Sequence, residues 1–178
     1  MKGIKHWAVI GVAVLLGACR SNTPPPAPVQ GPLPEERPAD FVLAATVYSP
    51  KSMERADLPR SLRPARYIVE ADGVLRAAVG PGSETTTYPG QTRQLTPREF
   101  DTLWRIVRES GLLDAGSVWR VENPDEVTRA SDRTTALVYV GYEGKRTTVR
   151  MLLDRSGAES VAAERLVDRL AELAWVGE

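Results

Sequence analysis

The sequence predicts an α+β domain, an antiparallel sheet of about five strands with two helices on one face. Two observations indicate strands: paired apolar runs flank the turn signals Asp72-Gly73 and Glu143-Gly144, which is typical of β-hairpins. A third indicates helices, because two further segments repeat apolar residues with helical period. The order is β-ββ-α-ββ-α, and adjacent strands separated by single helices favour an α+β fold.

The first half of the domain is predicted to contain one strand and one hairpin. Residues 41–48 are almost wholly apolar, which predicts a strand buried on both faces. Residues 49–66 carry prolines at three positions and are expected to form a loop. Residues 67–79 contain Asp72-Gly73 between apolar runs, which predicts a two-residue turn with both residues at positive φ.

A helix is predicted after an exposed Gly-, Pro- and Thr-rich connection at residues 80–93. Thr96 has the properties of an N-cap, Pro97 suits the first helical position, and Glu99 completes a capping box. Gly111 is expected to end the helix. The apolar face of this helix consists of Phe100, Leu103, Trp104 and Val107.

A second hairpin is predicted from residue 134 to residue 153, with Glu143-Gly144 as its turn. The turn sets the pairing of the strands, and one face is more apolar than the other. We therefore expect one face to lie on the helices and the other to face water. The predicted pairs are Val140 with Thr147, Val138 with Val149, Ala136 with Met151, Tyr139 with Thr148, and Leu137 with Arg150.

The last helix is predicted to begin at Ser156, with Glu159 three residues later. Its apolar stripe consists of Ala163, Leu166, Val167, Leu170 and Leu173. The whole layout is similar to small uncharacterised secreted domains of bacteria. That likeness implies no activity and no site residues.

The N-terminus has the pattern of a secretory signal peptide. A basic start, residues 1–6, precedes an apolar segment, residues 7–18, that is too short to span a bilayer. The segment ends in Leu16-Gly17-Ala18-Cys19, which resembles the lipobox of bacterial lipoproteins. The resemblance implies that signal peptidase II recognises Leu16, Gly17 and Ala18, cuts before Cys19, and leaves Cys19 carrying diacylglycerol and an acyl chain such as palmitate. An ordinary signal peptide followed by an unrelated cysteine is the alternative.

The resemblance also implies a location. In Gram-negative lipoproteins, an Asp after the cysteine commonly favours the inner membrane, whereas this chain has Arg20. We therefore expect a lipid anchor in the outer membrane, facing the periplasm. The same motif in a Gram-positive organism implies the outer face of the cell membrane.

A tether is predicted between the anchor and the domain. Residues 20–40 contain half of the 14 prolines, so an extended segment reaching roughly 60 Å is expected. The predicted division is a signal peptide at 1–18, the lipidated cysteine and tether at 19–40, and one domain at 41–176. A proline-rich docking ligand is the alternative for the tether.

Composition excludes several kinds of chemistry. The single histidine is His6, inside the signal peptide, and the single cysteine is Cys19. The mature chain therefore lacks Ser-His-Asp and Cys-His catalysis and zinc sites of histidine or thiolate. Removal of Lys2 and Lys5 leaves 21 basic and 23 acidic residues, which offers no electrostatic case for binding nucleic acid. No catalytic residue, metal or cofactor is predicted.

The sequence favours a non-enzymatic domain that binds another envelope protein. The predicted contact surfaces are the connection 114–133, with Trp119 and Arg120, and the polar face of the second hairpin. Trp beside Arg is typical of interface anchors. Around Trp119 itself, the sequence favours a short extra strand packed on the domain over an exposed interface anchor.

Two other functions stay open. A glycan hydrolase would need two facing carboxylates, for which the connection offers Asp125, Glu126 and Asp132. A carrier of an apolar ligand would need a cavity between the sheet and the helices.

Overall fold

A computed structural model describes residues 32–50, 58–113, 133–153 and 158–174. Within these residues the chain forms six strands and two α-helices, which confirms the predicted α+β class. Short 3₁₀ turns lie at Arg60–Leu62 and Ser83–Thr85. The elements are β1 (Val42–Tyr48), β2 (Ala65–Val69), β3 (Val74–Val79), β4 (Gln91–Gln94), α1 (Pro97–Glu109), β5 (Thr135–Tyr142), β6 (Lys145–Leu152) and α2 (Ala158–Ala174).

The strands form one antiparallel sheet in the order β4-β3-β2-β1-β5-β6. The predicted number of strands, about five, is close to this. The additional strand is β4, at the end of the connection predicted at residues 80–93. Its sequence, Gln-Thr-Arg-Gln, has no apolar alternation, and its pairing with β3 rests on backbone hydrogen bonds that a hydrophobic pattern does not reveal.

The core lies between one face of the sheet and the two helices. Leu43 of β1 pairs with Val69 of β2 and Val140 of β5, and all three side chains are buried on this face. On the other face Val42 and Ala44 are only half-buried. The prediction that the first strand is buried on both faces is therefore wrong for these positions, because both helices pack on the same side of the sheet.

Aromatic rings join α1 to the sheet. The centre of the Trp104 ring lies 5.0 Å from the centre of the Phe41 ring and 5.4 Å from the centre of the Tyr142 ring. Trp104 is 2% exposed. The whole predicted apolar face of α1 is buried, as is the predicted stripe of α2.

The two hairpin turns differ. In the first, only Gly73 has positive φ (83°), and its amide donates to the carbonyl of Glu70 at 2.9 Å. The predicted two-residue turn is wrong here. Asp72 instead accepts a hydrogen bond from the amide of Val74 at 3.0 Å. The connection between the strands therefore has three residues, a tight turn that ends in the left-handed Gly73.

The second turn agrees with the prediction. Glu143 (φ 48°) and Gly144 (φ 70°) are both left-handed, as a two-residue turn between twisted strands requires. All five predicted pairs of the β5–β6 hairpin are present.

The helix ends are mostly as predicted. Thr96 and Glu99 form the capping box: the amide of Glu99 donates to Thr96 Oγ1 at 3.4 Å, and that of Thr96 donates to Glu99 Oε2 at 2.9 Å. Gly111 has φ 67° just after α1, which suits the end of a helix. Helix α2 is described from Ala158, and Ser156 lies outside the described residues.

The last part of the predicted tether is attached to α1. Trp104 Nε1 donates to the carbonyl of Pro34 at 3.2 Å. The guanidinium of Arg37 stacks on the Phe100 ring at 4.1 Å and pairs with Asp101 at 2.9 Å. The folded part of the chain therefore begins before residue 41.

Candidate interaction surface

Most sequence-predicted site residues lie outside the described part of the chain. These are Leu16, Gly17, Ala18 and Cys19 of the predicted lipobox, Trp119 and Arg120, and the acidic residues Asp125, Glu126 and Asp132. Their roles stay predictions. The polar face of the second hairpin, by contrast, is fully described.

We call the side of the sheet that faces away from the helices the open face. On the β5–β6 hairpin it carries Tyr139 opposite Thr148 and Leu137 opposite Arg150. These four side chains are half-buried, in contrast to Val138 and Val149 on the core face, which are at most 1% exposed. The hairpin thus has the two unlike faces that its sequence predicts.

A row of residues crosses the open face from β2 to β6. Arg66 pairs with Thr46, Thr46 with Leu137, and Leu137 with Arg150. Two arginines therefore flank a centre formed by Thr46 and Leu137. A third arginine, Arg146, is exposed at the turn end of β6, opposite Gly141.

These three arginines have no acidic partner within the part of the chain that the structure describes. Arg66, Arg146 and Arg150 form no ion pair within the described residues. The Nε atom of Arg66 is buried and has no hydrogen-bond partner there. Since arginine stays charged and presents a planar fork of donors, this part of the sheet can bind carboxylates.

The far end of the open face is electrically balanced. Arg76 Nε pairs with Glu70 Oε1 at 2.9 Å, and its guanidinium lies 4.3 Å from the centre of the Tyr88 ring. The hydroxyl of Tyr88 also donates a hydrogen bond to the Glu70 carboxylate. The pKa of Glu70 is lowered mainly by this hydrogen bond and next by the one from Arg76. On this face the arginines without an ion pair among the described residues are therefore Arg66 on β2 and Arg146 and Arg150 on β6.

Asp40 positions the hairpin that carries the surface. Its Oδ1 accepts from the amide of Glu143 at 2.8 Å, and its Oδ2 accepts from that of Gly144 at 2.9 Å. Hydrogen bonds from Gly144 and then Glu143 lower the pKa of Asp40, because both stabilise the charged form. The carboxylate thus fixes the turn beside the point where β1 begins.

A second candidate is a groove of about 550 Å³ between α1 and α2. Its lining has charges of both signs, and Arg169 pairs with Glu172 at 3.0 Å. The lining residues include Thr102, Ile106, Val161, Glu164, Arg165 and Asp168. The whole lining carries three carboxylates and two guanidinium groups, so charges of both signs are mixed in the groove and do not specify the charge of a ligand.

Within the described ranges, no three His, Cys, Asp or Glu side chains come together in a group that could hold a metal ion. Among these residues, no helix has the length and apolar character needed to cross a membrane. Sequence reasoning identified the polar hairpin face but missed Arg66 and Asp40. Their contribution depends on pairing between distant segments, and no local pattern shows it.

Sequence comparisons add no functional assignment. The chain matches no protein-family model and no curated protein.

Proposed function

We propose that this protein is a lipid-anchored envelope protein whose domain binds another protein and performs no catalysis. The anchor is the acylated Cys19, and the membrane is the outer membrane, on its periplasmic side. Cys19 and a proline-rich segment precede the folded part, and stable anchoring needs two or more acyl chains. The domain is thereby held near the membrane and free to contact a partner.

The observation that carries this proposal is the open face of the β5–β6 hairpin. Arg146 and Arg150 lack ion pairs in the described part of the chain, and they lie beside half-buried Leu137 and Tyr139. Tyrosine and arginine next to apolar surface are enriched at the centres of protein interfaces. Trp119 and Arg120 form a second proposed contact surface.

The test is photo-crosslinking in the producing cell. A photoreactive amino acid replaces Tyr139 on the open face in one variant and Arg105, which is exposed on α1 and does not line the groove between the helices, in the control. We expect one envelope protein, identified by mass spectrometry, to crosslink to position 139 and not to position 105. The same sites in a Cys19→Ala background test whether the contact needs the anchor.

Two results would contradict the proposal. One is an absence of protein crosslinks from position 139, and from positions 119 and 120, in the anchored protein. The other is recovery of the Cys19→Ala variant in the membrane fraction to the same extent as the wild type. Loss of membrane association together with loss of the crosslink would support both parts.

A further inference from the structure

Among the strands that the structure describes, β6 is the outermost on its side of the sheet, so the backbone groups on one of its sides point away from β5. Leu153 donates from its amide to the carbonyl of Thr134 at 3.0 Å. Because hydrogen-bonded and non-hydrogen-bonded pairs alternate along an antiparallel ladder, the odd-numbered residues of β6 bond to β5. The amides and carbonyls of Arg146, Thr148 and Arg150 therefore point outward.

The free part of this edge is short and has a defined end. Arg146, Thr148 and Arg150 have no hydrogen bonds on their outward side within the described residues. At the next outward residue the carbonyl of Leu152 accepts from Ser160 Oγ at 2.9 Å. Helix α2 thus closes the edge at Leu152, and about five residues, roughly 17 Å, have no pairing on this side within the described part of the chain.

The side chains of these outward residues lie on the open face. Side chains alternate along a strand, so Arg146, Thr148 and Arg150 share the face that carries Tyr139 and Leu137. No acidic residue occurs within β6. The only ion pair described for this strand joins Lys145 to Glu143 at 3.5 Å. The free edge is therefore positively charged.

The charges disfavour a second copy of this chain as the occupant. In an antiparallel β6–β6 pair centred on Thr148, Arg146 of each copy would lie opposite Arg150 of the other. Like charges directly opposite each other destabilise a strand pair. A complementary occupant needs carboxylates at these two positions.

We propose that the β6 edge binds an extended acidic segment of a partner protein, which adds to the sheet as a seventh strand. The added strand exchanges backbone hydrogen bonds with Arg146, Thr148 and Arg150. Its residues opposite Arg146 and Arg150 are carboxylates, four residues apart and on the same side of the segment. This inference rests on the proposed function, since it names the chemistry of the partner and the edge it uses.

The test uses the mature lipidated protein in non-ionic detergent and three synthetic peptides carrying an uncharged fluorophore. The acidic peptide TEVTVET places its carboxylates four residues apart, TKVTVKT reverses the charge, and TEVPVET removes a central backbone donor. Fluorescence anisotropy gives the affinities. We expect the acidic peptide to bind at least about tenfold more tightly than either of the others, and less tightly as salt is raised.

Variants of the protein locate the site. Arg146→Glu and Arg150→Glu should each weaken binding of the acidic peptide by about tenfold or more. Arg105→Glu is the matched control, because Arg105 is exposed on α1, and it should bind as the wild type does. Circular dichroism at increasing temperature checks that each variant folds. Slowed hydrogen exchange at the amides of Arg146, Thr148 and Arg150 is expected on binding.

Several results would overturn the inference: equal binding of acidic and basic peptides, wild-type binding by Arg150→Glu, or unchanged exchange at the three outward amides. Binding of vesicles of phosphatidylglycerol without binding of the acidic peptide would also overturn it in favour of a lipid surface. A crosslinked partner at position 139 without peptide binding would leave the proposed function standing and remove this inference. Peptide binding without any crosslinked partner would leave this inference standing and remove the proposed function.

Discussion

The Oδ2 atom of Asp40 accepts a hydrogen bond from the amide of Gly144 at 2.9 Å, across 104 residues of sequence. The same carboxylate accepts from the neighbouring amide of Glu143. The segment just before β1 is thus tied to the turn of the hairpin that carries the proposed interaction surface.

Asp40→Asn is expected to lower the thermal midpoint at neutral pH, because the amide side chain replaces one charge-assisted acceptor with a weaker one and the other with a donor. The pKa of Asp40 is lowered in the fold. Its contribution is therefore complete above the ordinary value of 3.8 and is lost as the pH falls through the folded value.

Thermal unfolding of wild type and Asp40→Asn from pH 7 to pH 2 measures this contribution. The difference in midpoint should be largest near neutrality and shrink below about pH 4. Glu109→Gln, at an exposed position of α1, serves as the control for loss of a carboxylate. A difference that does not change with pH would contradict the role given to the Asp40 charge.

Trp104→Ala is expected to reduce the free energy of unfolding by about 3 to 5 kcal/mol. Trp104 is 2% exposed, contacts the rings of Phe41 and Tyr142, and donates to the Pro34 carbonyl. Trp104→Phe keeps an aromatic ring but loses that donor, so it should cost less. Urea unfolding measures both, and equal losses would mean that ring packing is not the main contribution.

Thr96→Ala should reduce the free energy of unfolding by about 1 kcal/mol, because it removes the side chain that caps α1. Thr102→Ala is the matched control. Thr102 lies inside α1, where its hydroxyl bonds back to the carbonyl of Arg98 at 2.7 Å. Because alanine is the better helix former, that change should be neutral or stabilising. A larger loss for Thr102→Ala than for Thr96→Ala in urea unfolding would contradict the capping assignment.

Glu143→Asn should stabilise the protein by roughly 0.5 to 1 kcal/mol, because Asn adopts the left-handed region at lower cost than Glu. Glu143 has φ 48°. The variant also loses the exposed contact with Lys145 at 3.5 Å, which contributes little. Glu143→Gln removes that contact without the backbone gain, so it should leave the urea midpoint nearly unchanged. A midpoint for Glu143→Asn below that of Glu143→Gln would contradict the prediction.

Tyr67→Phe should raise the free energy of unfolding by about 1 kcal/mol or more, since the Tyr67 hydroxyl is buried without a hydrogen-bond partner among the described residues. Burial raises the pKa of Tyr67 to about 12. The unfolded chain ionises this group near 10, so stability falls between these pH values. Tyr67→Phe should show less of this fall when urea unfolding is followed from pH 8 to pH 11. An unchanged alkaline loss would assign it to other groups.

Much of the fold follows from local patterns. The capping box at Thr96, the stripe of α2 and the register across Glu143-Gly144 depend on residues at most a few positions apart or paired across a tight turn, where side-chain period and turn chemistry act directly. The same reasoning missed β4, because Gln91–Gln94 pairs through its backbone and has no apolar alternation. It also misjudged the first hairpin turn, where the Asp72 side chain bonds to Val74.

The features of the candidate surface likewise fall into those that the sequence reveals and those that need the tertiary structure. The sequence by itself determined the resemblance of residues 16–19 to a lipobox, the lack of histidine and cysteine after residue 19, and the polar face of the β5–β6 hairpin. Only the tertiary structure decided that β6 is the outermost described strand, that Arg66 lies in one row with Arg150 across β1 and β5, and that Asp40 holds the turn. The physical reason is that strand order and hydrogen bonds between distant segments depend on how the whole chain buries its apolar face, which no short stretch of sequence encodes.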